Sequence, residues 1–492
     1  MNRPNILLIS IDTLRADHLS CYGYHRKTTP NIDKLASEGT IFRQNYSTGV
    51  WTPPGHASML TGLYVSEHGV YGERKLADNV PTIATILKEN AYQTAGFVNN
   101  SQVGELVGFE KGHDTFVEVW KGVQSKSIVE RIIRGGIRKI RKYLSYEDMG
   151  AKRTNKIFSE WIEGIDKYKP FYCFLHYIEP HNPLNPPRPY KNKYLTFDVI
   201  ARSKATKQST NIDMKKINKV ALNPLICYVE DLNLNQEEIS YIKNLYDGEV
   251  AYTDHIVGEI ISILKRHNLY DNTMIVVTSD HGEHFGERGL WSHVASLYKE
   301  VLHIPLIIKY PRGVEHINEV NEYTQLVDIF PTVLKIAGLS LPPLLKGGEG
   351  GLSGVSLVYD KNNNINKYHK YIFAEWEGRI PYFIQDKVEA KAKAKVEDKS
   401  KGEDILNRFK TPMSMIQDKQ YKYIYKSDGN EELYDISNGK EELLNITTQK
   451  ELKDRLCSEL FKKQRYMRDI EESTTYSIDD EIARNLKALG YM

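Results

Sequence analysis

Four stretches of this sequence place groups that can do chemistry directly after apolar runs. Asp12-Thr13 follows Ile6–Ile11, and Ser279-Asp280-His281-Gly282-Glu283 follows Met274–Thr278. His176, then Glu179-Pro180-His181, come at the end of the run that starts at Phe171. Trp51-Thr52-Pro53-Pro54-Gly55-His56 comes after the strand-like Thr40–Ser47. Two carboxylates and an imidazole make a mixed oxygen and nitrogen site for Zn²⁺, Mn²⁺, Ca²⁺ or Mg²⁺. Beside such a cation a threonine hydroxyl becomes a usable nucleophile near neutral pH. Prolines fit the first turn of a helix, so Thr52 stands at a helix entrance whose N–H groups favour an oxyanion. Each residue alone has a plainer reading. A strand-terminal aspartate more often caps a helix, and a lone histidine is more often packed. Their conjunction at separate strand ends points to a site.

The elements that must bring them together are also legible. Ile6–Ile11, Gln93–Val98, Phe171–His176, Met274–Thr278 and His303–Ile308 have the character of strands buried on both faces. Helices are expected from Thr29-Pro30 to a C-terminal cap at Gly39, from Pro81 towards Asn90, and over Glu237–Arg266. The alternation predicts an α/β fold with a mostly parallel sheet, which binds ligands beyond the carboxyl ends of its strands. Past Pro343 the character changes. Gly347–Gly354 lacks the Lys-Ser/Thr of a phosphate-cradling loop and reads as a linker. Lys387–Asp404 is charged and of low complexity, and is expected to be an exposed, mobile excursion. Tyr371–Glu375, Ser414–Gln417, Tyr421–Tyr425 and Glu432–Tyr434, with a turn at Asp428-Gly429-Asn430, predict a small antiparallel sheet followed by a terminal helix. The expected organisation is a catalytic unit over residues 1–345, with insertions at about 121–149 and 183–226, and a C-terminal unit over 346–492. Within the first insertion, Lys121–Leu144 reads as a basic amphipathic helix. A solvated face explains it better than contact with anionic substrate or lipid.

Composition narrows the function. The chain has 492 residues, 40% hydrophobic and 10% aromatic, which excludes global disorder. Lys+Arg 66 against Asp+Glu 64 leaves a net charge of +2, so no nucleic-acid partner is expected. No stretch approaches the roughly 18–20 apolar residues of a membrane span. Cys21, Cys173, Cys227 and Cys457 are scattered, which suggests a reducing compartment and a cytoplasmic protein. The expected partner is a small anionic ester; oligomeric state is undetermined.

At these motifs the chain resembles the sulfatase family of the alkaline phosphatase superfamily. The resemblance is carried by Pro4–Asp17, by Thr29-Pro30-Asn31-Ile32-Asp33-Lys34-Leu35-Ala36, and by Thr52-Pro53-Pro54-Gly55-His56-Ala57-Ser58-Met59-Leu60-Thr61-Gly62. Thr278–Glu283, Gly289–His293, Val327–Thr332 and Glu432–Asp435 extend it. It implies an alkaline phosphatase-like α/β/α sandwich with a small C-terminal antiparallel sheet. Departures from the family pattern matter too. Sulfatases carry Cys or Ser at the Thr52 position and oxidise it to formylglycine, which a branched threonine cannot form. Their Asp-Asp pair is Asp12-Thr13 here, and their next anchor, an arginine, is His56. Their Gly-Lys-Trp-His segment falls on Val98-Asn99-Asn100-Ser101, and a later sulfate-binding lysine falls on His293. Metal-dependent phosphoryl-transfer relatives, such as phosphonate monoester hydrolases and phosphodiesterases, are closer to this pattern.

That resemblance implies that Asp12, Thr52, Asp280 and His281 hold one divalent metal, with Mn²⁺ or Zn²⁺ favoured over Ca²⁺ or Mg²⁺ by the imidazole. Asn99 would donate to a phosphoryl oxygen. His56 joins His181 and His293 as candidate catalytic groups, the latter two binding substrate or protonating the leaving group. Alternatively the three histidines, with Glu179, would hold a second ion. Asp254 also matches a family position and is read as support for the core. The expected activity is hydrolysis of a phosphate ester, diester or phosphonate ester through Thr52. The alternatives are sulfate-ester hydrolysis without formylglycine, phosphoryl transfer to a glycan or lipid head group, and a non-enzymatic relative.

Overall fold

The computed structural model describes residues 3–123, 148–195, 212–341, 353–359, 368–393, 399–465 and 479–488. Most of the expected basic helix, part of the second insertion and most of the glycine-rich linker lie outside the described residues. At the centre is an eight-stranded sheet. Its strands are β1 (Asn5–Ile11), β2 (Thr40–Tyr46), β3 (Gln93–Val98), β4 (Thr115–Glu118), β5 (Phe171–Tyr177), β6 (Thr273–Thr278), β9 (Leu306–Lys309) and β10 (Glu319–Gln325). The short pair β7 (His284–Phe285) and β8 (Trp291–Ser292) lies apart from it. The order across the sheet is β10-β2-β9-β6-β1-β5-β3-β4.

Period-two alternation in β1 divides the core into two layers. Leu7, Ile9 and Ile11 pack with Phe158 of the helix Ala151–Gly164 and with Ile256 and Ile260 of the helix Gln236–Arg266. Ile6 and Leu8 pack with Ala57 and Met59 of the helix Thr52–Thr61 and with Phe330 of the helix Ile329–Ile336. This is the expected α/β/α sandwich. A second, antiparallel sheet follows: β11 (Ile372–Trp376), β12 (Met413–Gln417), β13 (Tyr421–Lys426), β14 (Glu431–Asp435) and the two-residue β15 (Glu442–Leu443). The helix Lys450–Arg465 covers it through Leu456 and Leu460. Among the described residues no helix is long and apolar enough to cross a membrane.

Several local expectations are corrected. The run His303–Ile308 forms a strand only from Leu306, and that strand runs antiparallel to both neighbours. Gly39 does not cap its helix. Glu38 is the cap, and a Cβ at Gly39 would lie 2.3 Å from the Ile308 carbonyl oxygen, so close backbone approach explains the glycine. Thr29 stands at the N-cap with Pro30 first in the helix, as expected, but its hydroxyl takes no helix N–H; the Asp254 carboxylate takes the Asn31 and Ile32 N–H groups from across the core. Lys387–Asp404 is helical where it is described, within helices Tyr382–Lys393 and Lys399–Lys410. Lys387, Glu389, Ala390, Glu403 and Asp404 are exposed, as expected, while Val388 is buried in the main core. Ile384 and Phe409, just outside the run, anchor the two helices in the same core, with Ile384 and Val388 at i and i+4. The edge strands β4 and β10 were not expected, being short or polar.

The antiparallel return of β9 has a use. Chain leaving β6 at Thr278 re-enters the sheet at the same edge, so residues 279–305 lie along the carboxyl ends of the strands. Three non-glycine residues there, Arg288, Ser292 and Ala295, have φ of 53°, 64° and 52°. Backbone of this kind persists only where surroundings over-determine it. One brace comes from the C-terminal sheet. The Glu441 carboxylate, whose side chain is 3% exposed, pairs with Lys422 at 2.7 Å and with Arg288 at 2.8 Å. Arg288 also pairs with Glu300 at 3.1 Å. A second brace holds the helix Thr52–Thr61. His68 Nδ1 accepts the Val70 N–H at 3.0 Å, and Nε2 lies 3.1 Å from Ser58 Oγ. Burial pushes His68 down to about 3.

Glu441→Gln leaves Lys422 buried without its partner and should cost about 3–5 kcal/mol in denaturant unfolding. The double variant with Lys422→Met should lose less than Glu441→Gln alone; an equal or larger loss would show that the pair does not act as a unit. For His68 the unfolded ring protonates near pH 6.5 while the folded ring stays neutral, so its stabilising contribution is lost as pH falls below 6.5. His68→Gln should therefore shrink the stability difference between pH 7 and pH 5 by about 2 kcal/mol, the integral of one proton over that interval. An unchanged difference would place His68 outside this linkage.

Candidate functional site

β1 lies between β6 and β5, all parallel, so residues leaving the three strands emerge side by side. Asp12 follows β1, and Asp280 and His281 follow β6. Thr52 opens the helix Thr52–Thr61, with prolines in its first turn. That helix can descend onto the β6 end only because residue 55 is glycine: a Cβ there would lie 2.7 Å from the Asp280 carbonyl oxygen. Ser47 Oγ, 2.5 Å from that same carbonyl oxygen, ties β2's end to the site.

Ligand atoms of Asp12, Asp280 and His281 lie within 4.8 Å of one another, the one group of its kind found among the described residues. The Gly282 carbonyl can only accept, so His281 Nδ1, 3.0 Å away, carries the proton and Nε2 keeps its lone pair. That Nε2 lies 3.3 Å from Asp280 Oδ2, 3.9 Å from Asp12 Oδ1 and 3.4 Å from Thr52 Oγ1. Asp280 Oδ1 accepts from the Thr13 and His281 N–H groups at 3.3 and 2.9 Å, and Asp12 Oδ2 accepts from Asn100 at 3.2 Å. The remaining carboxylate oxygens, Asp12 Oδ1 and Asp280 Oδ2, are buried without hydrogen-bond partners. Two open carboxylate oxygens and an imidazole lone pair converging beside a hydroxyl fit a divalent cation.

Electrostatics agree. Burial, then the Asp12 charge, pushes Asp280 up to about 7, and burial raises Asp12. Burial and then His293 hold His281 down at about 4. Asp12, Thr52, Asp280 and His281 are fully buried, so charges act here in a low dielectric. Thr13 has φ of 56°, a strained conformation for a β-branched residue. Its N–H is held by Asp280 Oδ1 and its carbonyl by the Tyr246 hydroxyl at 2.7 Å.

His56 lies one helical turn beyond Thr52, beneath it. Nδ1 is 2.8 Å from the Thr52 carbonyl oxygen and 3.4 Å from Asp280 Oδ2, while Nε2 is 3.0 Å from Ser10 Oγ. Burial first pushes it down to about 4. His181 and His293 come together on another side of the cluster. Their ring centroids are 5.3 Å apart, and that of His293 is 4.3 Å from His281. His181 Nδ1 is 2.7 Å from the Asn182 carbonyl oxygen, which leaves the lone pair on Nε2. His293 Nδ1 faces Glu283 Oε2 at 3.3 Å. Burial lowers both histidines. Asn99 and Glu179 meet at Met149 instead: the Asn99 amide donates to the Met149 carbonyl at 2.5 Å, and Glu179 accepts the Met149 N–H at 2.8 Å. The neighbouring Asn100 is the residue that reaches Asp12. Asn100 carries no motif signal of its own beyond its adjacency to Asn99. His176, noted at its strand end but given no role, lies against Asp12.

The chain matches the Sulfatase family over residues 4–339. An arylsulfatase from Clostridium perfringens is 26% identical over 403 residues, covering 74% of this chain and 80% of that protein. A multifunctional alkaline phosphatase superfamily protein, PehA from Trinickia caryophylli, is 26% identical over 406 residues, covering 70% and 76%. Among solved structures, the phosphonate monoester hydrolase of Agrobacterium radiobacter superposes with a TM-score of 0.69 at 20% identity, covering 94% of this chain and 96% of that one. The family match spans more than half of the chain, and with it the strand ends described above: the protein belongs to the sulfatase family, hydrolases of the alkaline phosphatase superfamily that work with a divalent metal.

Proposed function

We propose that the protein hydrolyses a phosphate ester, a phosphodiester or a phosphonate monoester, with Thr52 as nucleophile. The observation that supports this reading is the Thr52 hydroxyl, 3.4 Å from His281 Nε2 at the open side of the Asp12–Asp280–His281 cluster. Asp12, Asp280, His281 and Thr52 would hold a divalent cation, and one imidazole beside two carboxylates favours Mn²⁺ or Zn²⁺. That ion supplies Lewis acidity, which eases loss of the hydroxyl proton and offsets charge on the phosphoryl oxygens.

The chain's own residues do the rest. Thr52 Oγ attacks phosphorus in line, the bond to the leaving oxygen breaks, and that oxygen takes up a proton. N–H groups at the helix N-terminus face the charge that develops. His181 presents a lone pair on Nε2, suited to accept the hydroxyl proton and return it to the leaving oxygen. Water then attacks the phosphothreonine, its proton passes to an imidazole, and Thr52 Oγ is released. His56, bonded on both nitrogens, holds the first turn of the helix beneath Thr52.

Hydrolysis of a sulfate ester is the second reading, supported by the arylsulfatase relative. Thr52 weighs against it, since its branched Cβ cannot become formylglycine.

Thr52→Ala should lower turnover of phosphodiester and phosphonate substrates about a thousandfold or more, with Thr52→Ser keeping part of it. Wild-type protein quenched during turnover should carry the transferred group on Thr52, read by mass spectrometry: phosphate from a monoester, the remaining phosphate ester from a diester, the phosphonate from a phosphonate ester. An active Thr52→Ala variant would end this mechanism, and a strong preference for aryl sulfates in the same panel would reverse the ranking. Metal removal should lower the melting temperature, and more so at pH 8 than at pH 6. In the metal-free protein Asp280 titrates near 7, above its unfolded value of about 3.8, so its contribution to stability is lost as pH rises through about 7. Below that pH a binding cation must also displace a proton. A gap that narrows from pH 6 to pH 8 would contradict this.

A further inference from the structure

The metal centre leaves one polar side chain without a role. His176 ends β5 in register with Ser10 of β1 and is fully buried. It shares a sheet face with Tyr172 and Phe174, both in the apolar layer over which the helix Thr52–Thr61 packs. Neither ring nitrogen has a hydrogen-bond partner among the described residues. Burying an imidazole in this way costs stability that an apolar side chain at this position would keep. Nε2 of His176 lies 3.4 Å from Asp12 Oδ2. The same oxygen accepts the Asn100 amide at 3.2 Å. Asp12 Oδ1 has no hydrogen-bond partner and turns towards His281 Nε2. Donors thus gather on one oxygen and cation ligands on the other.

We propose that His176 is a positioning residue of the metal centre, whose Nε2–H donates to Asp12 Oδ2 in the metal-bound protein. A carboxylate turns about its last side-chain bond, and a ligand free to turn binds weakly. Donors arriving from β5 and from the loop after β3 hold Asp12 in one rotation, with Oδ1 presented to Asp280, His281 and Thr52. Thr13 stands where the family resemblance implies a second carboxylate, so more depends on the orientation of the one that remains. His176 acts from behind Asp12: it does not join the group of three whose ligand atoms lie within 4.8 Å of one another. At 3.4 Å the pair is at the outer edge of a hydrogen bond, and it shortens when Asp12 is fully charged beside a cation.

The probe is the metal alone, Zn²⁺ or Mn²⁺, titrated into chelator-stripped full-length protein by calorimetry or chelator competition. His176→Phe should weaken binding 10–100-fold, the usual effect of removing an outer-shell partner, and His176→Gln, which keeps an N–H donor, should recover part of the loss. Protein loaded with Co²⁺ should keep the intensity and position of its visible bands in His176→Phe, because the ligands themselves are unchanged. Unaltered affinity in His176→Phe would reduce the ring to core filling and overturn the proposal. So would a Co²⁺ spectrum reporting a lost ligand, which would make His176 a ligand itself. If His176→Phe does not fold, Asn100→Ser removes the companion donor, and unaltered affinity there overturns the two-donor arrangement equally. None of these readouts involves turnover, so they stand or fall apart from the choice between phosphate and sulfate esters.

Discussion

Two aspartates that cannot comfortably be charged together set the terms for this molecule. Asp12 and Asp280 are fully buried; burial raises both, and the Asp12 charge raises Asp280 further. Isolated charges in such surroundings would neutralise or move apart. They are kept in place by backbone N–H groups and a side-chain amide instead. The Thr13 and His281 N–H groups take one Asp280 oxygen, and Asn100 takes one Asp12 oxygen. One oxygen of each carboxylate is bonded inward and the other is left facing the gap. Thr13, whose N–H lies on Asp280, takes a strained left-handed φ of 56°.

Sheet topology supplies the rigidity for this. The carboxylates issue from adjacent parallel strands with hydrogen bonds along their lengths, so the spacing between them is set by the sheet. The remaining groups arrive on elements pressed against that edge. The helix that Thr52 opens is admitted by Gly55 and tied by His56 to Ser10 of β1 and by Ser58 to His68. The loop that carries His293 is held in its unusual backbone by ion pairs reaching into the C-terminal sheet. That sheet therefore belongs to the site's architecture without supplying the cluster's ligands.

What could be read from the sequence follows from these physical arrangements. Buried parallel strands leave long apolar runs, and their ends are easy to find. Asp12, Thr52, Asp280 and His281 were all named from that signal and lie together in the structure. Side-chain direction in the irregular turns that follow is not written in any periodicity. Asn99 and Asn100 look alike in sequence, yet one turns to Met149 and the other to Asp12. His56 carries nothing local to show that its ring reaches the Thr52 carbonyl and Ser10. Gly39 has the spacing of a helix cap, but its reason is the Ile308 carbonyl, far away in the chain. The helical form of Lys387–Asp404 is hidden because Val388 is a single buried apolar residue among many charges, the other anchors, Ile384 and Phe409, lying outside the run. β4 and β10 lie at or near sheet edges, where apolar alternation weakens.

The departures from the family pattern also balance one another. Thr13 removes a negative charge that the resemblance implies. His56 and His293 stand where that resemblance implies an arginine and a lysine, and burial holds both rings well below the usual histidine range, hence neutral near pH 7. With the lysine of the Gly-Lys-Trp-His segment, which falls on Asn99, one anion and three cations are lost together. Arg15, the guanidinium that acts on Glu283, is already engaged by Asp17 and Glu287. Charge that such a site would otherwise derive from fixed lysine and arginine must come instead from the bound ion, from helix N–H groups and from hydrogen bonds of neutral imidazoles. Neutral imidazoles can both take and give a proton, which fixed cations cannot. A site rebuilt in this way exchanges electrostatic grip on an anion for proton transfer, the exchange expected where an unmodified hydroxyl has to be deprotonated before it can attack.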